Sequence, residues 1–77
     1  MSSAMEFHHG GIHFQVIELP TLNRVQLWLR HEGSKGWELG HGKDVPNGRN
    51  AKYVAVTMKH FITGVIGHDE YNHLLPR

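Results

Sequence analysis

Cysteine is absent from the 77 residues of the chain, so the sequence offers no disulfide, no thiolate metal ligand and no thiol nucleophile. A charge excess is absent too, because eight Lys and Arg face seven Asp and Glu. This balance gives no electrostatic reason to expect a nucleic acid or a membrane surface as partner. Long apolar runs and the apolar stretch of a signal peptide are also missing, so we expect a soluble cytoplasmic protein without membrane contact.

The length allows one small domain whose core is close to the lower limit for stability. Residues 1–11 lack periodicity and contain the Gly10–Gly11 pair, so we expect a flexible lead-in there and a single domain over 12–77. In the tail, 60–77, apolar residues recur at helical spacing while Thr and Gly weaken a helix. Its conformation stays open between helix and extended chain, with a short closing helical turn over 69–75.

The apolar pattern predicts a strand followed by a helix. Apolar and polar residues alternate over 12–16, as in a half-buried strand; Ile17 and Leu19 break the alternation, so both faces of the strand end can be covered, and Pro20 ends the strand. A helix is then predicted over 22–32, because an apolar stripe at helical spacing is formed by Leu22, Val25 and Leu29. Leu27 lies opposite that stripe, so we expect its side chain to be exposed.

Two further strands are predicted after the helix. Residues 36–40 alternate around Trp37, whose side chain we expect in the core against the helix. A tight turn at Asn47–Gly48 leads to a strand over 51–59 with two similarly apolar faces. The predicted fold is α+β, with one helix on a small, mainly antiparallel three-stranded sheet in the order βαββ and an extra C-terminal segment.

The phrase Gly36-Trp37-Glu38-Leu39, followed by Tyr53-Val54-Ala55-Val56, resembles a family of short bacterial and phage domains of unknown function that carry a GWEL motif. The resemblance covers about Phe14–Lys59. It implies the βαββ fold with Trp37 anchoring the helix on the sheet, and it implies no activity. The tail after Lys59 departs from the short ending of that family.

Eight His residues are the most unusual feature of the composition, and imidazole is a common metal ligand. In an extended chain His9 and His13 lie roughly 13 Å apart, too far for one ion. A metal site would therefore need cross-strand partners such as His13, His41 and His60. We expect no metal site and no cofactor, and a His-based metal-binding protein is one alternative.

Catalytic patterns are not found in the sequence. Ser34 stands in no recognised nucleophile motif, and the adjacent pair Asp69–Glu70 suits a helix start better than general acid–base chemistry. We expect no catalytic residue and no enzyme. A small basic cluster is a candidate contact for an anion or an acidic partner, and it consists of Lys43, Arg49 and Lys52.

Surplus apolar residues point to self-association. The predicted interface consists of Leu27, Phe61, Ile62, Val65 and Ile66, and its rival is an arrangement in which the tail covers the sheet of its own chain. We therefore expect a small non-enzymatic homo-oligomer that binds and modulates another protein, for example a phage-encoded inhibitor of a host protein. The remaining alternative is a small-ligand sponge with a pocket between protomers.

Overall fold

The computed structural model describes residues 2–76; Met1 and Arg77, the outermost residues of the expected lead-in and tail, lie outside the described residues. Four strands form one antiparallel sheet in chain order. The elements are β1 (Ser2–His9), β2 (Ile12–Leu19), β3 (Arg24–His31), β4 (Glu38–Asp44), α1 (Ala51–Ile62) and α2 (His68–Leu74). The α+β class is confirmed, but the order is ββββαα, and the prediction of three strands and one helix is wrong.

The first hairpin replaces the expected flexible lead-in. Gly10 and Gly11 have φ angles of 59° and 76°, as the tight two-residue turn between antiparallel strands requires. This turn brings β1 back along β2, so that Phe7 pairs with Phe14 and their rings stack with centroids 5.0 Å apart. Both rings belong to the core. The prediction that residues before 12 stay outside the core is therefore wrong.

The predicted helix over 22–32 is strand β3. Apolar and polar residues also alternate over 24–27, and this period of two places Val25 and Leu27 on the core face. Hydrogen bonding to β2 on one side and β4 on the other fixes that alternation. Leu27 is 7% exposed, so its predicted exposure is wrong, because a helical wheel put its side chain on the side opposite to the core.

The second predicted strand exists with shifted bounds, since β4 covers Glu38–Asp44 instead of 36–40. Trp37 precedes it and is half-buried outside the core cluster, so its predicted place under the helix is wrong. The expected turn does form at Asn47–Gly48, where Arg49 N–H donates to the Pro46 carbonyl at 3.0 Å. It leads into a helix, however, so the predicted hairpin is not formed.

Residues 51–62 form α1, not the predicted third strand. The buried apolar residues recur at the spacing of one helix face, and they are Ala51, Val54, Ala55 and Met58. Asn50 caps the helix, since its side chain accepts a hydrogen bond from Tyr53 N–H at 2.9 Å. The helix ends where Gly64 adopts a φ of 83°, a left-handed conformation that favours glycine.

The C-terminal segment closes the core. After the predicted helical turn, found as α2, Leu75 is 1% exposed and Tyr71 stacks on Phe61 with ring centroids 4.3 Å apart. Both helices pack on the face of the sheet that carries Val16 and Val25. None of the helices within residues 2–76 is long and apolar enough to cross a membrane.

Candidate functional site: the open face of the sheet

One face of the sheet is not covered by a helix in the part of the chain that the structure describes. Side chains alternate across a strand, so the neighbours of the buried core residues project from this second face. We call this surface the open face, and its members include Glu6, His8, His13, Gln15, Ile17, Arg24, Gln26, Trp28, Arg30, Leu39 and Asp44, with Trp37 against it. Leu39 is 54% exposed there.

Aromatic rings and one guanidinium group form a continuous cluster on the open face. The rings of His8 and His13 stack with centroids 4.2 Å apart, and Trp37 meets His13 edge-on at 4.8 Å. The Arg30 guanidinium carbon lies 5.0 Å from the centre of the Trp37 ring, within cation–π distance. Glu6 Oε1 lies 3.0 Å from His13 Nε2, so the carboxylate can accept a hydrogen bond from that ring nitrogen. The cluster therefore presents flat rings held by several neighbours.

Two shallow grooves flank this cluster. One, of about 230 Å³, is lined by Gln15, Ile17, Gln26, Trp28 and Trp37. In it the Trp28 indole N–H donates to Gln26 Oε1 at 3.2 Å, which satisfies the polar edge of the ring. The other groove, of about 440 Å³, lies at the β1–β2 turn, and its lining includes His8, Arg30 and His31. Shallow grooves beside aromatic rings suit a macromolecular surface better than an enclosed small molecule.

Charges on the strands of the open face are balanced. Glu6 and Asp44 oppose Arg24 and Arg30. Arg24 Nη1 donates to Asp44 Oδ1 at 2.7 Å, an exposed ion pair that contributes little to stability but neutralises that end of the face. A nucleic-acid surface needs a clear positive excess to neutralise phosphates. The open face does not have that excess.

Comparison with known proteins identifies a phage family. Residues 5–77 match the family model described as Mycobacterium phage L5 gene 74 protein. The chain belongs to this family. No curated protein and no solved structure gives a significant match.

The family match extends the resemblance seen in the sequence. It includes β1 from residue 5 and both helices, whereas the resemblance covered only Phe14–Lys59. The expected phage relationship is confirmed at the level of the family, and the GWEL phrase as its hallmark stays a prediction. In this member of the family the phrase spans the entry to β4, with Trp37 on the open face and not under a helix.

The residues predicted for self-association are divided between core and surface. Phe61, Ile62 and Ile66 are partly buried and pack against the core, and Leu27 lies within it. Val65 alone of the five is fully exposed, at 67%. The tail thus covers its own chain, as in the rival arrangement, but on the helix side of the sheet. An interface at Phe61–Ile66 stays a prediction of the sequence.

The predicted basic cluster is also divided. Lys43 lies on the helix-covered face of β4 and is 8% exposed. Arg49 places its guanidinium carbon 4.7 Å from the Tyr53 ring centre, and Lys52 is exposed on α1. Lys43 is the member that lines a cavity, between the sheet and the two helices.

The histidines pair across the first hairpin, not in the sets considered from the sequence. The Gly10–Gly11 turn places His8 opposite His13, whereas His41 borders the cavity on the other side of the sheet. Within residues 2–76, no group of three His, Asp or Glu side chains is arranged to hold a metal ion. The signal for the His8–His13 pair was the Gly10–Gly11 step itself, because a Gly-Gly pair next to a strand is typical of a hairpin turn.

Proposed function

We propose that the protein is a small non-enzymatic interaction protein of a phage, and that the open face is its binding surface. In the free protein a second copy occupies this face, giving a homodimer. The observation that supports the proposal is the group of half-buried Trp28, half-buried Trp37 and exposed Leu39 on a sheet face without a helix over it in the described residues. Trp and Arg at the centre of a surface are the residues that contribute most to protein–protein binding.

The dimensions of the molecule suit such a dimer. Its principal extents are 38, 29 and 17 Å. A surface of 38 by 29 Å exceeds the roughly 800 Å² that each partner buries in a standard interface. Two sheets can pack face to face at a distance of about 10 Å. Because the open face carries charges of both signs, a two-fold axis can bring Arg30 of one copy near Glu6 of the other.

In its concrete form, the proposal is that the open face binds a protein of the phage host. Membership of a phage family supports a host protein as the target, and the charge balance supports a protein surface over a nucleic acid. A host protein with a complementary apolar surface would compete with the second copy for the open face. Modulation, for example inhibition, would then result from covering the surface of the host protein that binds there.

The test compares two exposed aliphatic residues on opposite sides of the molecule. Leu39→Glu changes the open face, and Val65→Glu changes the helix side, at the interface predicted from the sequence. We expect sedimentation equilibrium at high micromolar concentration to show a wild-type dimer, a monomeric Leu39→Glu and a dimeric Val65→Glu. Circular dichroism should show both variants folded, because both side chains are exposed.

Two results would contradict the proposal. A wild-type protein that sediments as a monomer would exclude the homodimer on either surface. Dissociation by Val65→Glu with Leu39→Glu still dimeric would move the interface to Phe61–Ile66. Trp37→Ala offers a second check on the open face, since we expect it to weaken the dimer with little change in thermal stability.

A further inference from the structure

The cavity between the sheet and the two helices contains a buried cation. It has a volume of about 330 Å³, within the range of small-ligand pockets. Its lining combines apolar side chains with a few polar ones. The apolar residues are Leu27, Met58, Phe61 and Ile62, and the residues with polar groups are His41, Lys43, His68, Tyr71 and Asn72. It lies on the side of the sheet opposite to the open face, so it is independent of the proposed dimer.

Lys43 is the unusual member of this lining. Its side chain is 8% exposed, although Lys is seldom buried without a partner of opposite charge. The ammonium group donates one hydrogen bond, to the Leu75 carbonyl at 2.9 Å, and lies 5.6 Å from the centre of the Tyr71 ring. Within residues 2–76 the ion pairs are His13–Glu6 and Arg24–Asp44, so no described carboxylate neutralises Lys43.

A carbonyl and an aromatic ring do not complete the surroundings of an ammonium group. Lys has three N–H donors, and the Leu75 carbonyl accepts from one of them. A carboxylate in the cavity could accept from a second donor and neutralise the charge, through a bond that is stronger than one between neutral groups. The apolar side chains of Met58, Phe61 and Ile62 line the same cavity and would contact an apolar tail.

We propose that this cavity binds a small carboxylate with an apolar tail, with the carboxylate on Lys43 and the tail against the Met58 and Phe61 side of the lining. The volume limits the ligand to a short chain or a single ring. Asn72 is exposed and lines the cavity, so it marks the mouth through which the ligand enters.

The probe for the test is octanoate, compared with the neutral octanamide and with acetate, which has no tail. Isothermal titration calorimetry should show saturable binding of octanoate to the wild-type protein, at least about tenfold tighter than that of either analogue. Backbone amide shifts in an NMR titration should change at Leu27, Met58 and Phe61, and stay unchanged at Trp28 on the open face.

Three variants separate ligand binding from a structural role of Lys43. Lys43→Met keeps an unbranched side chain only one atom shorter and removes the charge, and we expect it to weaken octanoate binding at least about tenfold. Lys52→Met changes the net charge equally but lies exposed on α1, so it should bind octanoate as the wild type does. Asn72→Trp should block the mouth of the cavity to octanoate while Lys43 stays in place.

Each contrary outcome overturns the inference. Absence of saturable octanoate binding to the wild type would show that Lys43 serves only to hold the Leu75 carbonyl at the end of α2. Equal affinity in Lys43→Met, or equal weakening in Lys52→Met, would show that the ammonium group does not contact the carboxylate. Octanamide binding as tight as that of octanoate would show that the charge of the carboxylate does not contribute to the affinity.

Discussion

Asn50 gives the sharpest test of the helical structure of residues 51–62. Its side-chain oxygen accepts the Tyr53 N–H at 2.9 Å, and its backbone is extended, as an N-cap requires. The first turn of α1 contains no acidic residue, so no carboxylate there supports the cap. Replacing Asn50 by Ala leaves that N–H to water, and we expect the free energy of unfolding to fall by about 1 kcal/mol.

A series at this position shows whether the lost bond is the cause. Asn50→Asp keeps the acceptor and adds a negative charge at the helix N-terminus, so its stability should equal or exceed that of the wild type. Asn50→Gly should cost only a few tenths of a kcal/mol, because Gly is a tolerated cap. In a domain of this size, about 1 kcal/mol lowers the midpoint of thermal unfolding by roughly 4–8 °C.

Thermal unfolding followed by far-ultraviolet circular dichroism measures these differences. Asn47→Ala is the matched control, because Asn47 is exposed in the preceding turn and should change stability by less than about 0.5 kcal/mol. An Asn50→Ala protein with the midpoint of the wild type would refute the reasoning, and so would equal losses in Asn50→Ala and Asn50→Asp. Either result would show that the hydrogen bond from Tyr53 N–H to the Asn50 side chain does not stabilise α1.

Three further predictions concern stability. Gly64→Ala should lower the free energy of unfolding in urea by about 1–2 kcal/mol, because a left-handed φ of 83° strains an L-residue even where nothing lies within 4 Å of the new methyl group. Burial raises the pKa of the Tyr71 hydroxyl. The stabilisation by the neutral, buried hydroxyl is therefore fully present below about pH 10 and is lost as the pH rises through the folded pKa. Tyr71→Phe should flatten that alkaline loss of stability in melts from about pH 9 to 12. Phe14→Ala should cost about 3–5 kcal/mol in the same urea assay, whereas Trp37→Ala should cost less, although Trp is larger, because Trp37 lies outside the core.

The local sequence pattern was sufficient to predict an element correctly where only one periodicity was present. The strand over 12–19 is observed with the predicted bounds, because its alternation has no helical competitor. The closing turn of helix near the C-terminus is also observed, as α2. The first strand was missed because Gly10 and Gly11 were interpreted as flexibility, although two residues with positive φ are what a tight hairpin needs.

Two segments carry both periodicities, and the choice between them is not local. In β3, Val25 and Leu29 belong equally to a helical stripe and to a strand face. The deciding partners lie elsewhere in the chain, since Leu29 pairs with Phe14 and Leu27 with Val16 on the neighbouring strand. In the segment 51–62 the reverse holds, because the sheet already has its strands and the residues bury their helical face on it. Propensity within a short window cannot contain this information.

The candidate surface depends on that same choice. On a helix over 22–32, Trp28 would extend the buried stripe and Leu27 would be exposed. The apolar residues that this fold leaves outside its core are then Leu27 and those of the tail. On a strand the two exchange places, because neighbouring residues project from opposite faces: Leu27 enters the core and Trp28 reaches the open face. Arg30 follows two residues later on that face and meets Trp37. The composition of the open face is therefore a consequence of strand pairing, which residue types within one segment do not reveal.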